Sequence, residues 1–156
     1  MRKLNAMRAN PTPAQKPPVR ELVTRAASYP ADNRLFSLSP AALRRMGYAG
    51  HGFDIARALF IDTETTGLSG GAGTVAFLVG IGFVRGGYFT VEQYLMPDYA
   101  GEAALLSRLA EKFPDFDTVV HFNGRTFDMP LLRSRFVLQR MDNLWKEMDR
   151  PGGAPV

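Results

Sequence analysis

From Ala58 onward the chain alternates between apolar runs and short polar or glycine breaks. Ala58-Leu59-Phe60-Ile61 is an uninterrupted apolar stretch that predicts a buried strand. Thr74 to Val84 is a longer one, with Gly80 and Gly82 inside it, and predicts a central strand. Arg85-Gly86-Gly87 supplies a tight turn, and Tyr88 to Met96 then alternates side by side like one strand of a hairpin. At Glu102 the period changes from two to 3.6: Leu105, Leu106, Leu109 and Phe113 share one helical face, and Pro114 ends the helix. Thr118 to Phe122 predicts a short buried strand, and Asn123-Gly124 turns the chain. A last helix is expected from Asp128, with Pro130 in its first turn, running through Leu131, Leu138, Met141, Trp145 and Met148 to Pro151-Gly152-Gly153. Three antiparallel strands, a helix crossover, a parallel strand and a further helix describe an α/β protein with a mixed sheet and helices on its faces.

The part before Ala58 reads differently. Residues 1–20 carry Pro11, Pro13, Pro17 and Pro18 among small and basic residues, a composition that cannot bury a core. A weak helix is expected over Glu21 to Ser28, and a better one after Ser39, with Ser39 as N-cap, Pro40 at N1 and Gly47 as the stop. The expected division is a basic, disordered leader over 1–35, a helical lead-in over 36–54, and a domain over 55–156. Charge follows that division. Residues 1–35 hold seven Lys/Arg against two acids, while 36–156 hold twelve against thirteen. The basic character therefore belongs to the leader, where it can hold a polyanion loosely. With no cysteine, disulfides and thiolate zinc sites are excluded. No apolar run approaches the roughly 20 residues of a membrane span, so a cytoplasmic location is the expectation.

The chemistry gathers at two places. Asp62 and Glu64 follow the first apolar run at i and i+2, which on a strand puts both carboxylates on one face. Neighbouring acids raise each other's pKa unless a cation lies between them, so the pair suits a hard, oxygen-liganded divalent metal; a solvated strand end is the plainer reading. The following Ser69-Gly70-Gly71-Ala72-Gly73 lacks the Gly-Lys-Ser/Thr ending of a phosphate-binding P-loop and reads as a connector. Asp128 stands just past a parallel strand in the first turn of a helix, at the end of the sheet where α/β proteins bind ligands, although a carboxylate there also serves as an ordinary helix cap.

Together these stretches carry a resemblance. Phe60-Ile61-Asp62-Thr63-Glu64-Thr65-Thr66-Gly67-Leu68 resembles the first motif of the DEDD-type 3′–5′ exonucleases, and Phe122-Asn123-Gly124-Arg125-Thr126-Phe127-Asp128-Met129-Pro130-Leu131-Leu132 resembles their second. The wording is most similar to the bacterial YprB-like branch, over about Ala58 to Phe136. The resemblance implies a ribonuclease H-like fold and two-metal phosphodiester hydrolysis, with two Mg²⁺ or Mn²⁺ ions roughly 4 Å apart. Asp62 would bridge the ions, Glu64 hold the first and Asp128 serve the second. Thr63, Thr66, Leu68, Asn123 and Arg125 would contact the single-stranded 3′ end of a DNA or RNA substrate, Arg125 through phosphate. Phe127 and His121 are expected in structural roles, Arg133 and Arg135 as surface charges. The family's third motif, with the fourth acid and a His or Tyr base, has no counterpart before Val156, and a last strand and helix are expected to be missing with it. Asp142, Glu147 and Asp149 read as solvated helix charges. The implied alternatives are a nuclease, a fragment of one, or a non-catalytic nucleic-acid-binding relic.

Overall fold

The computed structural model describes residues 21–48, 52–67, 73–122, 124, 126–143 and 154–155. Its centre is a mixed sheet of strands β1 (Val23–Pro30), β2 (Ala58–Thr65), β3 (Ala76–Arg85), β4 (Tyr88–Leu95), β5 (Thr118–Val120) and β6 (Ala154–Pro155), in the spatial order β1-β4-β3-β2-β5-β6. Helices α1 (Pro40–Arg45), α2 (Glu102–Lys112) and α3 (Asp128–Leu138) complete it.

The expected hairpin forms as read: β3 and β4 pair from Leu78↔Leu95 to Arg85↔Tyr88. The two residues between them, Gly86 and Gly87, take φ of 59° and 82°. Only glycine enters that region without strain, and a two-residue turn of this hand matches the twist of its strands. β2 pairs antiparallel with β3 on one side and parallel with β5 on the other, with α2 as the crossover.

Alternation sorts the strands into two faces. Leu59 and Ile61 of β2, with Val79, Ile81 and Phe83 of β3, Tyr94 of β4 and Val119 of β5, pack against Leu105, Leu106 and Leu109 of α2 and Leu132 and Phe136 of α3. Each such fully buried side chain contributes about 1.5–3 kcal/mol of transfer free energy. The opposite face carries a smaller cluster, Ile55, Ala58 and Val84 with Phe53, Phe60, Phe89 and Val120 against them. Gly82 permits it, because a Cβ there would stand 2.7 Å from the Phe89 ring, which meets Phe60 edge-on at 5.6 Å between centroids.

α3 is tied to α2 by a buried ion pair. Glu102, 4% exposed, accepts from Arg135 Nε at 2.5 Å and from its Nη2 at 2.7 Å, and from Gln139. Arg135 is thus no surface charge, whereas Arg133 is exposed as expected. α2 is tied to β4 through Glu92, which accepts from Lys112 Nζ at 2.7 Å and from the Tyr94 hydroxyl. Burial pushes the Glu92 carboxyl up, but these two donors outweigh it and hold the group below the ordinary glutamate value. Burial and the same carboxylate push the Tyr94 phenol well above its ordinary range.

Four expectations about the elements are corrected. Val23–Pro30 is neither helix nor disordered leader but an edge strand paired with β4 over eight residues, with Ser28 and Thr90 hydroxyls 2.9 Å apart across the pair. Sheet pairing outweighs the weak local helix preference of this stretch. α3 ends at Leu138 rather than running on to Met148. Arg140 takes φ 58°, and the Arg140 and Met141 amides turn back to Val137 and Phe136 carbonyls, a left-handed C-terminal cap made without glycine. A separate helical stretch starts at Asp142, while Trp145, Glu147, Met148 and Asp149 lie outside the described residues. The sheet also does not stop at β5: Ala154–Pro155 pairs with it in parallel, opposite Thr118 and Val119. Finally, β5 is shorter than read, so His121 and Phe122 follow the strand instead of lying in it. The lead-in helix is as expected, capped by the Ser39 hydroxyl on Ala42 N–H, with Gly47 at φ 89°. No helix among the described residues is long and apolar enough to cross a membrane.

Candidate active site

The site is set by which face each residue of β2 takes. Its burial alternates past Ile61: Asp62 exposed, Thr63 half-buried, Glu64 exposed, Thr65 half-buried. Asp62 and Glu64 therefore continue the face of Phe60, and Thr63 continues the helix-covered face of Leu59 and Ile61. Neither acid has a hydrogen bond or ion pair with another described residue. Opposite Asp62 in register is Gly80, where a Cβ would meet nothing nearer than the Asp62 carbonyl at 4.0 Å. A groove of about 490 Å³ opens there, with Phe60, Asp62, Gly80, Gly82, Gln93 and Phe122 in its walls. Phe122 is 92% exposed at its rim.

Asp128 is placed differently. It is 6% exposed, in the first turn of α3, and accepts a hydrogen bond from the Thr63 hydroxyl. The turn leading to it is drawn tight: Gly124 N–H donates to His121 Nδ1 at 2.9 Å, and Met129 N–H donates to the Gly124 carbonyl at 2.8 Å. A Cβ on Gly124 would stand 2.7 Å and 2.8 Å from His121 carbons and 2.9 Å from Asp128 Oδ2, so the close approach requires glycine. The structural reading of His121 is met on one side of the ring; its Nε2 is buried and has no partner among the described residues. Phe127 is half-buried at the N-cap of α3.

Asp62 and Glu64 thus share one face near the end of β2, and Asp128 reaches that strand from the other face, through Thr63. Among the described residues no three acidic or histidine groups stand close enough to hold one ion together. The exposed pair does fit a hard divalent cation: it offers oxygen donors only, no cation among the described residues pairs with them, and Mg²⁺ or Mn²⁺ takes few carboxylates and keeps room for water and phosphate. Thr66 has a structural task, its hydroxyl accepting from Val75 N–H at 3.1 Å. Leu68, Asn123 and Arg125 lie outside the described residues. Sequence reasoning missed the Thr63–Asp128 link and the His121–Gly124 turn. The first was available in the two-residue period, since the residue between two same-face acids must point the other way.

The family model of the RNase H superfamily matches residues 59–149, more than half of the chain. The chain is 39% identical over 89 residues to the uncharacterized protein YprB of Bacillus subtilis (strain 168). That alignment takes in 57% of this chain and 21% of YprB, so the chain spans about a fifth of that relative's length. No solved structure gives a significant match.

Proposed function

The chain belongs to the RNase H superfamily, and on that premise we propose that it acts on nucleic acid as a divalent-metal-dependent nuclease of the 3′–5′ exonuclease type. The observation that carries this reading is the exposed Asp62–Glu64 pair, without a partner among the described residues, at the end of a core strand beside an open groove. Asp62 and Glu64 would hold Mg²⁺ or Mn²⁺, with Asp128 as the third acid at the same strand end. An ion bound there supplies water activation and neutralises charge on the phosphodiester. The protein's own part is to hold two carboxylates on one rigid strand face, so that little reorganisation accompanies binding. Arg125, which follows Gly124 in the sequence, is the proposed phosphate contact, and Asn123, which precedes Gly124, a further substrate contact. Phe60, Phe89 and Phe122 give the groove an aromatic lining suited to unpaired bases, which stack on such surfaces without sequence preference.

A second reading, binding without cleavage, draws support from the placement of Asp128 on the far face of β2. One experiment separates the two. The protein is incubated with 3′-tailed single-stranded DNA or RNA and Mn²⁺, beside an Asp62→Ala variant. Shortening by the wild type alone supports the nuclease; retention of the strand at full length by both, with binding, supports the second reading; absence of binding refutes both.

A further inference from the structure

The pairing registers of four neighbouring strands line up one row of residues across the sheet. Asp62 of β2 stands opposite Gly80 of β3, Gly80 opposite Gln93 of β4, and Gln93 opposite Arg25 of β1. Residues directly opposite one another in antiparallel strands share a face, so the whole row belongs to the face of the acid pair. Asp62, Gln93 and Arg25 are exposed and Gly80 is half-buried, so the row is open to solvent. The next row on that face is Phe60, Gly82, Val91 and Ala27. There the Phe89 ring lies over Gly82, edge-on to Phe60. The two rows are about 7 Å apart, the advance of two residues along a strand. A polar row floored by a glycine therefore runs beside an aromatic one.

An exposed arginine by itself is only a solvated charge. What distinguishes Arg25 is its place in this row. No acid among the described residues pairs with it, and Asp62 lies three strand spacings away, about 14 Å, out of reach of an ion pair. The guanidinium fork matches phosphate oxygens, and the Gln93 amide adds neutral donors between it and the acids. Donors and a cation in line suit an anionic backbone, and the aromatic row alongside suits bases that are not paired. We propose that this row is the track of a single-stranded nucleic acid, whose sugar–phosphate backbone crosses the sheet from the acid pair to β1, with Arg25 on a phosphate and Gln93 as a further hydrogen-bond donor. This rests on the nucleic-acid reading above. It extends that reading to a strand outside the superfamily match, which begins at residue 59.

The test is fluorescence anisotropy with a labelled oligothymidylate on the full chain, in EDTA so that the strand stays intact, with affinity followed against salt. Each phosphate neutralised on a single strand contributes about 0.7 to the slope of log affinity against log salt. Arg25→Gln is expected to lower the slope by about 0.7, a loss of about fivefold at about 0.1 M salt. Arg25→Lys keeps the charge and should keep the slope. Gln93→Ala should weaken binding at an unchanged slope, because a neutral donor displaces no counterion. Arg133→Gln removes one exposed charge from α3, on the opposite side of the sheet, and should alter neither quantity. Arg25→Ala repeats the measurement if Arg25→Gln does not fold. An unchanged slope in the Arg25 neutral variants, or an equal loss in Arg133→Gln, overturns the inference. If the wild type does not bind the strand, the nucleic-acid reading falls and the inference with it. If the wild type binds and the Arg25 neutral variants bind as well at the same slope, only the track falls.

Discussion

Removing the Glu102 carboxylate should cost more than any surface charge in this molecule. The side chains of Glu102 and Arg135 are 5% and 12% exposed, and Arg135 reaches the carboxylate through two nitrogens at 2.5 and 2.7 Å. In Glu102→Ala the guanidinium loses its main countercharge in a place with little water, and Gln139 loses its acceptor. Breaking one side of a buried pair costs about 3–5 kcal/mol, against about 0–1 for an exposed pair such as Arg108–Glu111. At roughly 2–4 °C per kcal/mol for a domain of this size, the melting temperature should fall by about 6–20 °C. A rescue is also expected. Replacing both partners by apolar side chains, Glu102→Met with Arg135→Met, removes the stranded charge and should recover most of the loss. Melting followed by circular dichroism, at low and high salt, reads both effects, and the loss should persist at high salt because a buried pair is poorly screened. A single variant that melts within about 2 °C of wild type, or a double variant no better than the single, would refute the reasoning.

Two further outcomes follow from geometry described above. Gly124→Ala forces a methyl into space held by His121 and Asp128, so it should destabilise by about 1–3 kcal/mol; denaturant melts check it, and an unchanged midpoint counts against the tight turn. Glu92 has its carboxyl held below its ordinary value of 4.5, so its contribution is present above that pH and is lost as pH falls through the lower folded-state value. Glu92→Gln should therefore be less stable than wild type at pH 7, with the gap closing in acid; a gap that grows on acidification has the wrong sign.

Much of the sheet could be read from residue pattern because its strands announce themselves locally. The β3–β4 hairpin is written in Gly86-Gly87 and in the period of Tyr88 to Leu95, and α2 in its leucine spacing. What could not be read was set by distant partners. Val23–Pro30 has no strong pattern of its own and becomes a strand only because β4 offers it hydrogen bonds. Arg135 looks like any helix-surface arginine until α2 brings Glu102 beside it. The acid pair was legible because a D-x-E on a strand dictates a shared face. The position of Asp128 was not, because it depends on how α3 enters, and a tight turn at Gly124 decides that.

The outermost strand has a consequence for how the molecule would be handled. The superfamily match begins at residue 59 and the glycine-rich hairpin lies later still, so the chain could easily be trimmed to begin at about residue 36. That cut would take away Val23–Pro30 and leave the eight residues of β4 with one row of amides and carbonyls open to water. A newly bared strand margin of that length is an invitation to pair with another molecule. The stretch that looks most dispensable in composition thus forms the margin of the sheet, and trimming it would move that margin inward to β4.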